Sequence, residues 1–133
     1  MIEFTVYGEP KGKSRPRFGN GHTYTPKTTT EYEKTVLAAY MDKYHTLMLK
    51  NEIWVQIRAY MGIPKSTPKK RRAEMLGKGV LKKPDVDNIA KIILDALNGV
   101  AYEDDKQITR LDIEKRYSDT PRVEVQIREI RDD

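Results

Sequence analysis

Residues 84–99 read Pro-Asp-Val-Asp-Asn-Ile-Ala-Lys-Ile-Ile-Leu-Asp-Ala-Leu-Asn-Gly, and this stretch decides the fold class. Asp85 is a good helix N-cap, and Pro84 stands just before it. Val86, Ile89, Ile92, Ile93, Ala96 and Leu97 recur at helical spacing as one apolar stripe. Asn98-Gly99 is a stop. The stripe demands an apolar surface to cover it, and the flanking segments offer strands. Ile53 to Tyr60 places Ile53, Val55 and Ile57 on one face. Residues 109–117 and 122–130 alternate in the same way and are joined by a turn at Ser118-Asp119-Thr120-Pro121. Residues 2–7, Ile-Glu-Phe-Thr-Val-Tyr, make a further strand. Thr28, Thr29 or Thr30 caps a helix running to about Met48, with Tyr32, Val36, Leu37, Ala39, Tyr40 and Tyr44 inward. The expectation is one small α/β domain of the α+β type over residues 1–133. Alternation does not fix the order of its strands. Trp54, Tyr60 and the methionines read as packing residues.

Two segments resist this reading. Gly8 to Asn20 is rich in Gly and Pro and is taken as a loop. Residues 62–83 hold eight basic residues, two Pro and three Gly. They read as a basic, mobile flap, with room for a short helix near Arg71–Leu76.

Charge separates the chain into halves. Residues 1–83 carry 17 Lys and Arg against 7 Asp and Glu, net +10; residues 84–133 carry 8 against 13, net −5. A basic half suggests a polyanion, most simply nucleic acid. In the first loop Lys11, Lys13, Arg15 and Arg17 alternate with small residues and Pro16, followed by Phe18, Tyr24 and Lys27. Such a loop can aim several cations at one phosphate backbone, and an aromatic can stack on an unpaired base. Lys69, Lys70, Arg71 and Arg72 form a second patch. The acids of the other half need their own explanation. Asp87, Lys91 and Asp95 follow one another at i, i+4 and i+8, Asp85 opens the same helix, and Asp104-Asp105 lies just past its stop. If the chain turns back so that these acids converge, they repel unless a cation sits among them. Mg²⁺ is the natural occupant, and Mn²⁺ can substitute, because both are hard ions that take oxygen ligands. The structural alternative is an N-cap at Asp85, an ion-pair ladder along Asp87–Lys91–Asp95 and a solvated turn at Asp104-Asp105.

Composition excludes other chemistries. The chain has no Cys and only two His, His22 and His45. A cysteine nucleophile, a disulfide scaffold and a thiolate metal site are ruled out, and no His-rich centre is available. No apolar run approaches the ~20 residues a membrane span needs. The N-terminus lacks a secretory pattern, so a cytoplasmic protein is expected. Hydrophobic residues make up 38% of the chain, lean for a globular domain, and a second protomer would add burial.

Gly8–Phe18, Tyr24–Lys27, Pro84–Lys91, Asp95–Gly99 and Asp104–Ile108, taken in order, resemble the RusA family of Holliday-junction resolvases. The D-x-D-N-x-x-K and D-D-x-Q elements carry most of that likeness; the central flap carries little. The resemblance implies a mixed sheet packed against helices and a Mg²⁺-dependent endodeoxyribonuclease, commonly prophage-borne. It implies a homodimer acting on four-way branched DNA, without a small-molecule cofactor or a membrane. By motif, Asp85, Asp87 and Asp105 would be the essential metal-binding acids and Lys91 the basic residue near the metal. Asp104 and Asp95 match secondary positions, and the N-terminal Lys/Arg loop would contact DNA. Two alternatives stay open: a non-catalytic basic module that binds nucleic acid, and a metal-dependent nuclease acting on other branched DNA.

Overall fold

Strand pairing begins from β4, Ile53–Gly62, whose residues alternate between buried and part-exposed along its length. Ile53, Val55, Ile57, Ala59 and Met61 point to the covered face. In the computed structural model, which describes residues 1–131, β4 is flanked by β5 (Ile108–Ser118) and β6 (Arg122–Glu129). β1 (Ile2–Tyr7) completes the sheet, in the order β1-β6-β4-β5. β4 runs antiparallel to β6 and parallel to β5, so the sheet is mixed. β1 pairs antiparallel with β6, with Ile2 opposite Ile127 and Val6 opposite Val123. The turn at 118–121 therefore joins two strands that are not neighbours, because β4 lies between them. A parallel pair needs a long crossover. Here the crossover between β4 and β5 carries α2 (Lys69–Met75) and α3 (Val86–Leu97).

One sheet face is dry. The inward side chains of β1, β4 and β6 meet Ile89, Ile92, Ile93 and Leu97 of α3 and Val36 and Tyr40 of α1, Lys27–Tyr44. Phe4 and Tyr40 meet edge to face at 5.7 Å between ring centres, a geometry the ring quadrupoles favour. The opposite face keeps Arg58 in water and Gln56, Glu124 and Gln126 partly so. This is one α+β domain. Among the described residues no helix is long and apolar enough to cross a membrane.

Local chemistry shifts several boundaries. Pro26, with φ −54°, occupies the N-cap of α1 without a side-chain cap. The threonines expected to cap it lie inside the first turn, where Thr30 Oγ1 donates to the Pro26 carbonyl at 3.1 Å. The helix ends at Tyr44 rather than near Met48, because His45 takes a left-handed φ of 54° and its N–H closes onto the Met41 carbonyl. The end of the expected first loop enters a small hairpin of β2 (Arg17–Gly19) and β3 (His22–Tyr24). Asn20 and Gly21 form its turn at φ 51° and 82°; both central residues are left-handed, as a tight hairpin requires.

The basic 62–83 segment is built into the fold over much of its length. Gly62 ends β4, α2 follows, and Val80 is buried. Gly77 N–H donates to the Tyr117 carbonyl at 3.0 Å, and Tyr117 N–H donates to the Lys78 carbonyl at 3.0 Å. These bonds fasten the end of the segment to the outer edge of β5.

Candidate nucleic-acid interface and acidic site

The N-terminal loop closes onto the start of α3. Lys13 N–H donates to the Asn88 carbonyl at 2.9 Å, and Ser14 N–H to Thr29 Oγ1 at 3.3 Å. Between loop and helix lies a cleft of about 800 Å³ whose walls include Lys11, Arg15, Arg17 and Lys83, with Asp85 and Asn88 on the helix side. Gly12 permits the approach. A Cβ there would stand 2.8 Å from Pro84 Cβ and 3.1 Å from Asn88 Cβ. Gly12→Ala is therefore expected to cost about 1–3 kcal/mol by overpacking. Urea unfolding checks the figure, and the loop should lift from the helix as stability falls.

Lys11, Arg15, Arg17 and Lys27 are exposed, as are Lys69, Lys70 and Arg71; Arg72 is partly buried. Arg72 donates to the Pro64 carbonyl at 3.1 Å, so it braces the turn before α2. Lys13 breaks the alternation expected of the loop. Its Nζ turns inward, 2.8 Å from Glu33 and 3.2 Å from Asp95. It is a cross-link from loop to α1 and α3 instead of a cation presented to a ligand. Burial pulls its pKa down, but the hydrogen bonds and charges of Glu33 and Asp95 outweigh that and raise it above 10.5. A raised lysine stabilises the folded state fully below its unfolded pKa. The contribution is thus whole at neutral pH and is lost only as pH climbs past 10.5 through the folded value. Water still reaches the group, so the cross-link is worth about 1 kcal/mol rather than the larger sums of buried pairs.

The acids differ in what holds them. Asp85 stands at the N-cap of α3, yet its side chain makes no cap hydrogen bond. Asp85, Asp87, Lys91 and Asp105 are exposed. Among the described residues, no ladder of ion pairs joins Asp87 to Lys91 or Lys91 to Asp95; Asp95 pairs with Lys13 instead. Asp104 does have a structural task. Its carboxylate accepts the Lys106 N–H at 2.9 Å, and its own N–H donates to Gln107 Oε1 at 2.9 Å, a capping box around the 3₁₀ turn Asp105–Gln107. The Lys106 N–H, then the neighbouring Asp105 carboxyl, hold Asp104 below the usual carboxylate range. That capping role was absent from the sequence reading, although a D-x-x-Q spacing signals it.

The expected convergence of acids does not occur within one chain. Among the described residues, no three acidic side chains come close enough to hold a common ion. The reason is how the chain leaves α3. Val100 and Ala101 N–H both donate to the Leu97 carbonyl, making a tight turn. Tyr102 is then buried at the end of the helix, its hydroxyl donating to the Leu94 carbonyl at 2.6 Å. Burial pushes that phenol far up, and the charges of Asp105, Asp95 and Asp104 add to the shift. So Asp104-Asp105 joins Asp95 near the C-terminal end of α3. Asp85 and Asp87 open the same helix, and Asp95 lies about 15 Å further along the axis from Asp85, at 1.5 Å per residue. The structure sets two acidic groups apart: Asp85 at the wall of the basic cleft with Asp87 two residues on in the same helix, and Asp95, Asp104 and Asp105 around Tyr102.

Comparison with known proteins follows the same residues. The sequence profile of the family described as Endodeoxyribonuclease RusA matches residues 7–128, nearly the whole chain. A relative from Bacillus subtilis (strain 168), carrying the name "Uncharacterized protein YqaN", is 37% identical over 137 residues. That alignment covers 97% of this chain and 96% of the relative.

Proposed function

The chain belongs to the RusA endodeoxyribonuclease family, and on that footing we propose that it resolves four-way DNA junctions by Mg²⁺-dependent phosphodiester hydrolysis as a homodimer. The observation that carries the reading is the pair Asp85 and Asp87. Both are exposed, Asp85 caps nothing, and Asp85 lines a cleft whose other wall is cationic. Carboxylates two residues apart, committed to no ion pair among the described residues, suit a small hard ion. Mg²⁺ commonly takes one or two carboxylates, with waters and a phosphate filling the remaining positions. When bound, the ion supplies positive charge at the phosphate and acidifies the attacking water. The chain's own residues do the rest. Lys11, Arg15, Arg17 and Lys83 hold the DNA backbone along the cleft, and Lys91, one turn beyond Asp87, balances charge on the scissile phosphate.

Asp105 enters this reading through the second protomer. β5 is an edge strand whose outer side is fastened by residues 77–80 only near its C-terminal end. Its stretch from Ile108 to Glu114 is mostly exposed. A two-fold antiparallel pairing of two such edges sets the beginning of one β5 beside the end of the other. The end of β5 adjoins the segment that leads into Asp85, because Lys115 Nζ donates to the carbonyls of Lys82 and Pro84. Asp105 of one protomer then approaches Asp85 and Asp87 of the other, which would complete both sites. Two sites related by a two-fold axis suit a substrate needing two opposed cuts.

The test is cleavage of a four-way junction, a fork and a linear duplex of matched sequence, at one salt concentration, with Mg²⁺, Mn²⁺ or EDTA. Paired nicks in opposed strands of the junction, abolished by EDTA, are expected. Equal cutting of the linear duplex points to a less selective nuclease. Binding without any cutting in either metal points to a non-catalytic module. Either result overturns the reading.

A further inference from the structure

We propose that Leu81 is the side chain that tells branched DNA from linear duplex, by packing on an unstacked base at the branch point; the inference rests on the junction reading above. Leu81 is 100% exposed, beyond the next most exposed large apolar residues, Phe18 at 75% and Tyr7 at 72%. Leu81 shares the lining of a groove with Met75 and Tyr117, yet its side chain stands wholly in water instead of packing onto them. The backbone around it is bracketed on both sides. Val80 just before it is buried, and its N–H points to the Lys115 carbonyl at 3.4 Å. Just after it, Lys115 Nζ holds the carbonyls of Lys82 and Pro84 at 2.8 and 3.0 Å. The apolar side chain is thus presented to solvent from a braced strap.

The surroundings define what can meet it. Lys78, Lys82 and Lys83 flank Leu81 in the chain, and Arg71 lines the adjoining groove. Glu74 is the acid there, and it pairs with Arg71 at 3.6 Å. Such a surface draws a phosphate backbone. Phosphate and sugar offer a leucine nothing, whereas the face of a base does. In linear duplex every base face is covered by its neighbours, and insertion must first unstack a step. At a four-way branch the stack is already interrupted, so the same insertion is far less costly. Leu81 also lies only a few residues before Asp85, so a base held there sits near the acids proposed to act.

The experiment uses the full chain with Asp87→Asn, which keeps the complexes uncut, in Mg²⁺ at one salt concentration. The probes are a four-way junction with 2-aminopurine at the branch point and a linear duplex of the same sequence. Adding Leu81→Ala is expected to weaken junction binding about tenfold while leaving duplex binding within about twofold, and to remove the rise in 2-aminopurine fluorescence. Leu81→Met should keep both properties. Removing a fully exposed side chain takes away no internal packing, so circular dichroism should not change. An unchanged junction-to-duplex ratio with an unchanged fluorescence rise overturns the inference alone. Conversion of the dimer to monomer by Leu81→Ala, with equal loss on both DNAs, assigns the residue to a subunit contact and also overturns it. If the Asp87→Asn parent itself shows no junction preference, the junction reading fails and this inference with it.

Discussion

A protein carrying Asp87→Asn is expected to bind four-way junctions at least as tightly as the unaltered chain, and to cut them at least about a thousandfold more slowly. Asn keeps the shape of the side chain and removes its charge. Asp87 is exposed in the first turn of α3, so the exchange disturbs no packing. Binding persists because the cations of the cleft make the phosphate contacts. It should tighten somewhat, since one negative charge near the DNA backbone disappears. Cleavage collapses because the amide no longer helps to hold a divalent ion. Separate measurement of junction affinity and of single-turnover cleavage distinguishes this outcome from a general loss of folding. Parallel loss of both would mean that Asp87 serves the architecture.

Salt provides the second large effect. A protein that neutralises six phosphates loses about a thousandfold in affinity between 50 and 200 mM salt. The unaltered chain is expected to show a loss of that order, and Arg15→Ala with Arg17→Ala to flatten the log–log slope by about two. Lys13→Met provides the contrast. Because Lys13 is spent on Glu33 and Asp95, its loss should leave the slope unchanged and lower unfolding stability by about 1 kcal/mol. A slope that falls equally for all three sites would mean that Lys13 swings outward to the DNA.

That contrast also marks where reading the sequence stops. Helix α3 was legible because its apolar stripe has only one periodic interpretation. The strands were legible too, with ends close to those observed. Their neighbours were not, since alternation says which face a residue joins and nothing about which strand lies beside it. The hairpin at Asn20-Gly21 carried a proper turn signal, but strands of three residues are too short to show a period. In the 62–83 segment, composition gave no sign of the bonds that tie Gly77 and Lys78 to Tyr117 far along the chain. The acids show the same limit. Their type and order suggested metal chemistry; Asp85 takes the N-cap position without a side-chain cap bond, and among the described residues no ion-pair ladder runs along Asp87, Lys91 and Asp95. Their grouping depends on the turn after Leu97 and on Tyr102, and no spacing rule foretells either. Lys13 resembled Lys11, Arg15 and Arg17 in every local respect; only its distant partners set it apart.

The position of β6 bears on how the protein is made. It lies between β1 and β4, although among the described residues it is the last strand in chain order. A nascent chain stalled before Arg122 has already exposed its basic loop and its first acids, yet it lacks the strand that unites β1 with the rest of the sheet. β6 must be made before loop and α3 share one frame. A chain cut short before Arg122 is therefore left without the frame that holds the cleft together.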